Sequence, residues 1–183
     1  MKRACAFVAL VVFVSLSCCL GLVCGQEQKS DLDGLLSSFA GFHVLTLKER
    51  DSDTRAFILK HFPKVNPSVV HADFDGDGNL DYAVLLKNDK SQTAKLVVLL
   101  CPANTHCRSV YELDVTGYSE IVYLRPVATG SVVSQTDAIE STAQPSPEKL
   151  KSTGIKVTYF EKAAVVLYWD GKAKKIKEVQ TED

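Results

Sequence analysis

Beyond residue 25 the chain is nearly without cysteine: of six in 183 residues, Cys5, Cys18, Cys19 and Cys24 fall in the N-terminal stretch and only Cys101 and Cys107 follow it. That excludes a disulfide-dense scaffold, and with His106 as the one neighbouring imidazole it leaves a structural zinc site short of ligands. There is no surplus of basic residues either. The 21 Lys and Arg stand against 22 Asp and Glu, and two of the basic ones, Lys2 and Arg3, open the chain. No basic stripe interleaved with aromatics is present to hold nucleic acid, and the lysines of 172–177 read as the solvated face of a strand. Signatures of catalysis are missing as well: there is no Gly-x-Ser-x-Gly, and His43, His61, His71 and His106 form no pair at ligand spacing.

What the N-terminus does have is a long apolar stretch, 4–23, behind Lys2 and Arg3 and ahead of the first acid, Glu27. This is the pattern of an export signal. Val23 and Gly25 suit the −3 and −1 positions of a cleavage site, so 1–25 is read as the signal and 26–183 as a single mature domain, periplasmic or secreted. The stretch is also near the ~20 residues of a membrane span, which leaves an uncleaved anchor as an alternative. A lipidated Cys19, with Leu16 three residues before it, is another. In an oxidising compartment Cys101 and Cys107, with Pro102, Asn104 and Thr105 between them, are expected to form a local disulfide.

Apolar periodicity divides the rest. Ser30 and Asp33 make a capping box before Leu32, Leu35, Leu36 and Phe39, predicting a helix over 31–40. Asp51 to Asp53 read as the cap of a second helix over 53–61, closed by Pro63. Strands are predicted at 69–74, 82–87, 95–100, 109–115, 120–127, 155–160, 163–169 and 174–180, and a surface loop at 135–153. Residues 163–169 are apolar throughout, as in a central strand, and Asp170-Gly171 supplies a hairpin turn after them. Short turns between neighbouring strands, with one or two helices at the start, predict an α+β domain built mainly on antiparallel sheet. Its core is expected in the strands after Lys95.

The residues richest in chemistry lie at 73–81, where Asp73, Asp75, Asp77, Asn79 and Asp81 occupy alternate positions around Gly76 and Gly78. Carboxylates this close repel, and a divalent cation held by oxygen ligands relieves the repulsion. With Asp73 as position 1, side chains at 1, 3 and 5 and the carbonyl at 7 face an ion, and Gly78 at position 6 permits the sharp turn. Position 12 is Val84, where an EF-hand needs Glu, and the flanks are strand-like, so Asp81 at position 9 is expected to complete the shell. Calcium is the expected ion, because a flexible, carboxylate-rich cage suits it better than magnesium.

The run from Ala72 to Val84 resembles the calcium loop of FG-GAP and VCBS-type repeats, over about fifteen residues and in a single copy. The resemblance implies calcium bound in a β-hairpin loop of an exported, bacterial-type protein, with Asp73, Asp75, Asp77, Asp81 and the carbonyl of Asn79 as ligands. Such repeats build propellers, but neither the length nor a second acidic loop supports one here. The expected function is therefore that of an exported calcium-binding domain whose ion braces a hairpin. Alternatives are an exported protein-binding or inhibitory module with purely structural calcium, and a calcium-dependent hydrolase. A non-enzymatic role is the expectation. Besides calcium, the expected partner is a protein or glycan at the cell exterior, with no nucleic acid and no membrane beyond the export signal.

Overall fold

A computed structural model of the chain describes residues 32, 34–103, 106–135 and 147–182. The stretch 1–25 read as an export signal, both Ser30 and Asp33 of the capping box, and Asn104 and Thr105 lie outside the described residues. The chain divides into two units, 1–38 and 39–183. In the first, Leu32 and 34–36 are helical, short of the 40 predicted. Ser37 Oγ donates to the carbonyl of Gly34 at 2.7 Å, a side-chain bond that competes with the helical ladder.

The second unit holds the sheets. Strand β1 (His43–Val44) and helix α1 (Ser52–His61) come first. Asp51 caps α1 by accepting the N–H groups of Asp53 and Thr54, each at 2.9 Å. Then follow β2 (Val69–Ala72), β3 (Asp81–Asn88), β4 (Thr93–Leu100), β5 (Arg108–Asp114), β6 (Val122–Val127), β7 (Val132–Val133), β8 (Glu148–Lys149), β9 (Gly154–Tyr159), β10 (Ala163–Asp170) and β11 (Lys175–Glu182). Among the described residues two larger antiparallel sheets result, beside the two-stranded pair β7-β8. The first runs β1-β3-β4-β5, with β2 sharing the edge of β3 used by β1; the second runs β11-β10-β9-β6. The fold is α+β and mainly antiparallel sheet, and β10 is interior to its sheet as its unbroken apolar run requires.

The two sheets share one core. Ala83, Leu85, Leu96, Val98 and Leu100 enter it from the first and Leu124, Ile155, Val157 and Leu167 from the second. It is not confined to the strands after Lys95. Val70 and Phe74 belong to it, and β3 is buried from Asp81 to Leu86. Of the strands flanking the acidic loop β3 is central, pairing on both its edges and covered on both its faces, while β2 is an edge strand that contributes Val70 to the core. Of the loop predicted over 135–153, residues 136–146 lie outside the described residues, and in 147–153 β8 pairs with β7 and Leu150 is buried beside Val133 and Val166.

Arg50 ties the sheets together from within. It is 3% exposed, and donates from Nε to the carbonyl of Val122 at 3.1 Å, from Nη1 to that of Thr46 at 2.8 Å, and from Nη2 to Ser68 Oγ at 2.7 Å and the carbonyl of Pro67 at 3.2 Å. Burial pulls its guanidinium down to about 10, with Glu49 opposing, so it remains charged at neutral pH. Among the described residues no helix is long and apolar enough to cross a membrane.

Candidate metal site

The connection from β2 to β3 curls because Asp side chains bond to backbone N–H groups ahead of them, the Asx-turn habit of this residue. Asp73 accepts from Gly76 at 2.7 Å and Gly78 at 3.0 Å; Asp75 accepts from Asp77 at 3.1 Å. Gly76 and Gly78 adopt φ of 83° and 88°, a region in which a side chain is strained. Phe74 points the other way, 1% exposed, and anchors the loop in the core. From outside, Thr153 N–H donates to the carbonyl of Asp73 at 3.3 Å and Ser152 Oγ to that of Phe74.

This curl brings Asp73, Asp75 and Asp81 together, with one carboxylate oxygen from each lying within 4.8 Å of the others. No lysine or arginine forms an ion pair with any of the three among the described residues. Asp81 is 1% exposed; its Oδ2 accepts from Phe74 N–H and its Oδ1 from Cys101 N–H, both at 2.8 Å. Burial raises the Asp81 carboxyl above its ordinary range, with the charges of Asp75 and Asp77 adding to the rise and the two N–H groups opposing it. Burial likewise raises Asp75, helped by Asp77 and Asp73 and opposed by the Asp77 N–H and the positive charge of Arg108.

Asp77 and Asn79 stand apart from this group. The Asp77 carboxylate accepts the Asn79 backbone N–H at 2.8 Å and its side-chain amide at 2.9 Å, which together hold it below its ordinary range. Leu80, next in the chain, is 55% exposed. Cys101 and Cys107 form a disulfide pair with Cα atoms 4.0 Å apart, beginning at the residue whose N–H reaches Asp81. The ring of His71 stacks on Tyr82 at 4.2 Å.

A second cluster, His43, Glu49 and Asp89, has the same close spacing but a different balance. Lys87 Nζ lies 3.4 Å from Glu49, and Thr46 donates to Glu49 from its N–H at 2.7 Å and its hydroxyl at 2.8 Å. A cation is already built into that group. Nothing local in the sequence singles it out, since its members come from β1, the 3-10 turn Leu47–Glu49 and the turn between β3 and β4.

Compared with known proteins, the chain matches no family model, no curated protein and no solved structure.

Proposed function

We propose that this protein is an exported calcium-binding domain in which the ion braces the connection between β2 and β3. The observation that carries the reading is the convergence of Asp73, Asp75 and Asp81 with no ion-paired lysine or arginine among the described residues, Arg108 acting on Asp75 only from beyond ion-pair distance. Three carboxylates in this position attract a hard divalent cation, and oxygen-only donors favour calcium over softer metals. Asp77 and the carbonyl of Asn79 complete the shell once Asp77 exchanges its bonds to Asn79 for the ion. The likeness of 72–84 to an FG-GAP or VCBS-type calcium loop supports the same reading, and so does the apolar N-terminal stretch, which assigns the chain to export.

Isothermal titration of the purified domain is expected to give one calcium per chain, in the micromolar to millimolar range of sites outside the cytosol. Replacing Asp75 by Asn should abolish the heat. An unchanged titration would remove the loop as the site. Material recovered from the exported fraction should carry Cys101 and Cys107 oxidised, two hydrogens lighter by mass than the reduced chain; free thiols there would count against export.

A further inference from the structure

On the face of the second sheet turned away from the shared core, at the end of the β10–β11 hairpin, lies a cavity of about 220 Å³. Four lysines line it: Lys149, Lys151, Lys172 and Lys177. Lys177 is neutralised by Asp170, 2.6 Å away. Lys149, Lys151 and Lys172 have no ion-pair partner among the described residues, and Glu148 is the remaining carboxylate of the lining. The four lysines therefore outnumber the two acids by two charges. Tyr168, opposite Lys177 in the register, completes the wall, while the side chain of Trp169 packs against the shared core from the other face of the strand.

We propose that this cleft binds a small acidic sugar of the uronate type. Unpaired ammonium groups converging on one concavity repel each other and favour an anion between them. Asp170 is engaged by Lys177 and by the N–H groups of Lys172 and Ala173, so Glu148 is the carboxylate that accepts from ring hydroxyls, which a simple anion does not offer, and Tyr168 gives a sugar ring an aromatic surface to lie against. The volume is below the ~300 Å³ at which clefts for drug-sized ligands begin, which fits a single ring. The site shares no residue with the acidic loop, and its ligand is of the opposite charge.

Glucuronate titrated into the full chain in metal-stripped buffer should give a saturable binding heat by calorimetry. Glucose should give none, for want of charge, and acetate should bind at least ~tenfold more weakly, for want of hydroxyls. Glucose 6-phosphate distinguishes a carboxylate preference from a general anionic-sugar preference; either supports the site, the second widening the ligand class. Lys151→Gln combined with Lys172→Gln changes only exposed side chains, so its melting temperature should match the parent while glucuronate affinity falls by about tenfold or more. The proposal is overturned if glucose and glucuronate act alike, if acetate matches glucuronate, if glucuronate gives no response, or if the folded double variant titrates like the parent.

Discussion

Asp81 Oδ1 accepts the backbone N–H of Cys101 at 2.8 Å, so a carboxylate of the acidic loop also pins the first residue of the disulfide turn. Asp81→Asn is nearly isosteric but replaces one acceptor oxygen by a donor, which then faces a buried N–H. The expected cost is ~1–3 kcal/mol. At roughly 2–4 °C per kcal/mol for a chain of this size, calorimetry should show melting several degrees lower, and added calcium should no longer raise it. A variant that melts with the parent and still responds to calcium would contradict the role assigned to this carboxylate.

Parent protein should gain ~2.7 kcal/mol at a calcium concentration a hundredfold above the dissociation constant. Asp75 and Asp77 should differ in how they contribute. Asp75 already lies within the converging group, whereas Asp77 must first give up Asn79. Asp75→Asn should abolish the calcium-induced rise in melting temperature; Asp77→Asn should reduce it and leave it measurable. Equal losses would mean that the loop rearranges fully around the ion.

Glu49 gives a pH dependence of known sign. Burial pushes its carboxyl up, but the N–H and hydroxyl of Thr46 and the His43 ring outweigh burial and hold it at about 2, against 4.5 for the free side chain. Its contribution to stability is fully present above pH 4.5 and disappears as pH falls through about 2. Urea unfolding should therefore separate parent from Glu49→Gln at pH 6, and the gap should narrow steadily below pH 4.5. A gap that does not vary with pH would show that the glutamate acts through packing alone.

Arg50→Met keeps the volume of the buried side chain and removes all its donors. The carbonyls of Val122, Thr46 and Pro67 then lose an N–H partner, but Thr46 and Pro67 keep the N–H groups of Glu49 and Leu124, so the penalty of ~1–3 kcal/mol for an unsatisfied group falls chiefly on Val122. Denaturant titration should show a loss of about 1–3 kcal/mol. A change below about 1 kcal/mol would mean that other donors or water take over.

The local features of this protein were readable from its residues. Asp51 caps α1 because a short acceptor precedes a helical run, and β10 is interior because it has no polar face. The acidic loop declared itself through alternate carboxylates and two glycines. Assembly across sequence distance was not readable. Phe74, expected at the end of a strand over 69–74, lies beyond β2 among loop residues and still joins the core, and the core could not be placed by counting apolar strands, since a buried edge and a buried centre have the same composition. The lysines at 172 and 177 alternate like an ordinary solvated face; only the hairpin of β7 and β8, which brings Lys149 and Lys151 near them, makes a concavity. Arg50 has no local signal, because its acceptors come from three separate segments.

The edge of β3 shared by β1 and β2 constrains the order in which the chain can assemble. The partners Ala72 and Asp81 close over a short connection, whereas His43 must find Lys87 across more than forty intervening residues. Loop closure is costlier for the second pairing, so β2 and β3 form first and β1 docks late, although β1 leaves the ribosome earliest. Until it docks, the far half of β3 presents unpaired N–H and C=O groups beside buried leucines, an open template for another nascent chain. The two-residue strand at His43 and Val44 thus acts as a seal, and the interval before it closes is when the protein is most exposed to aggregation.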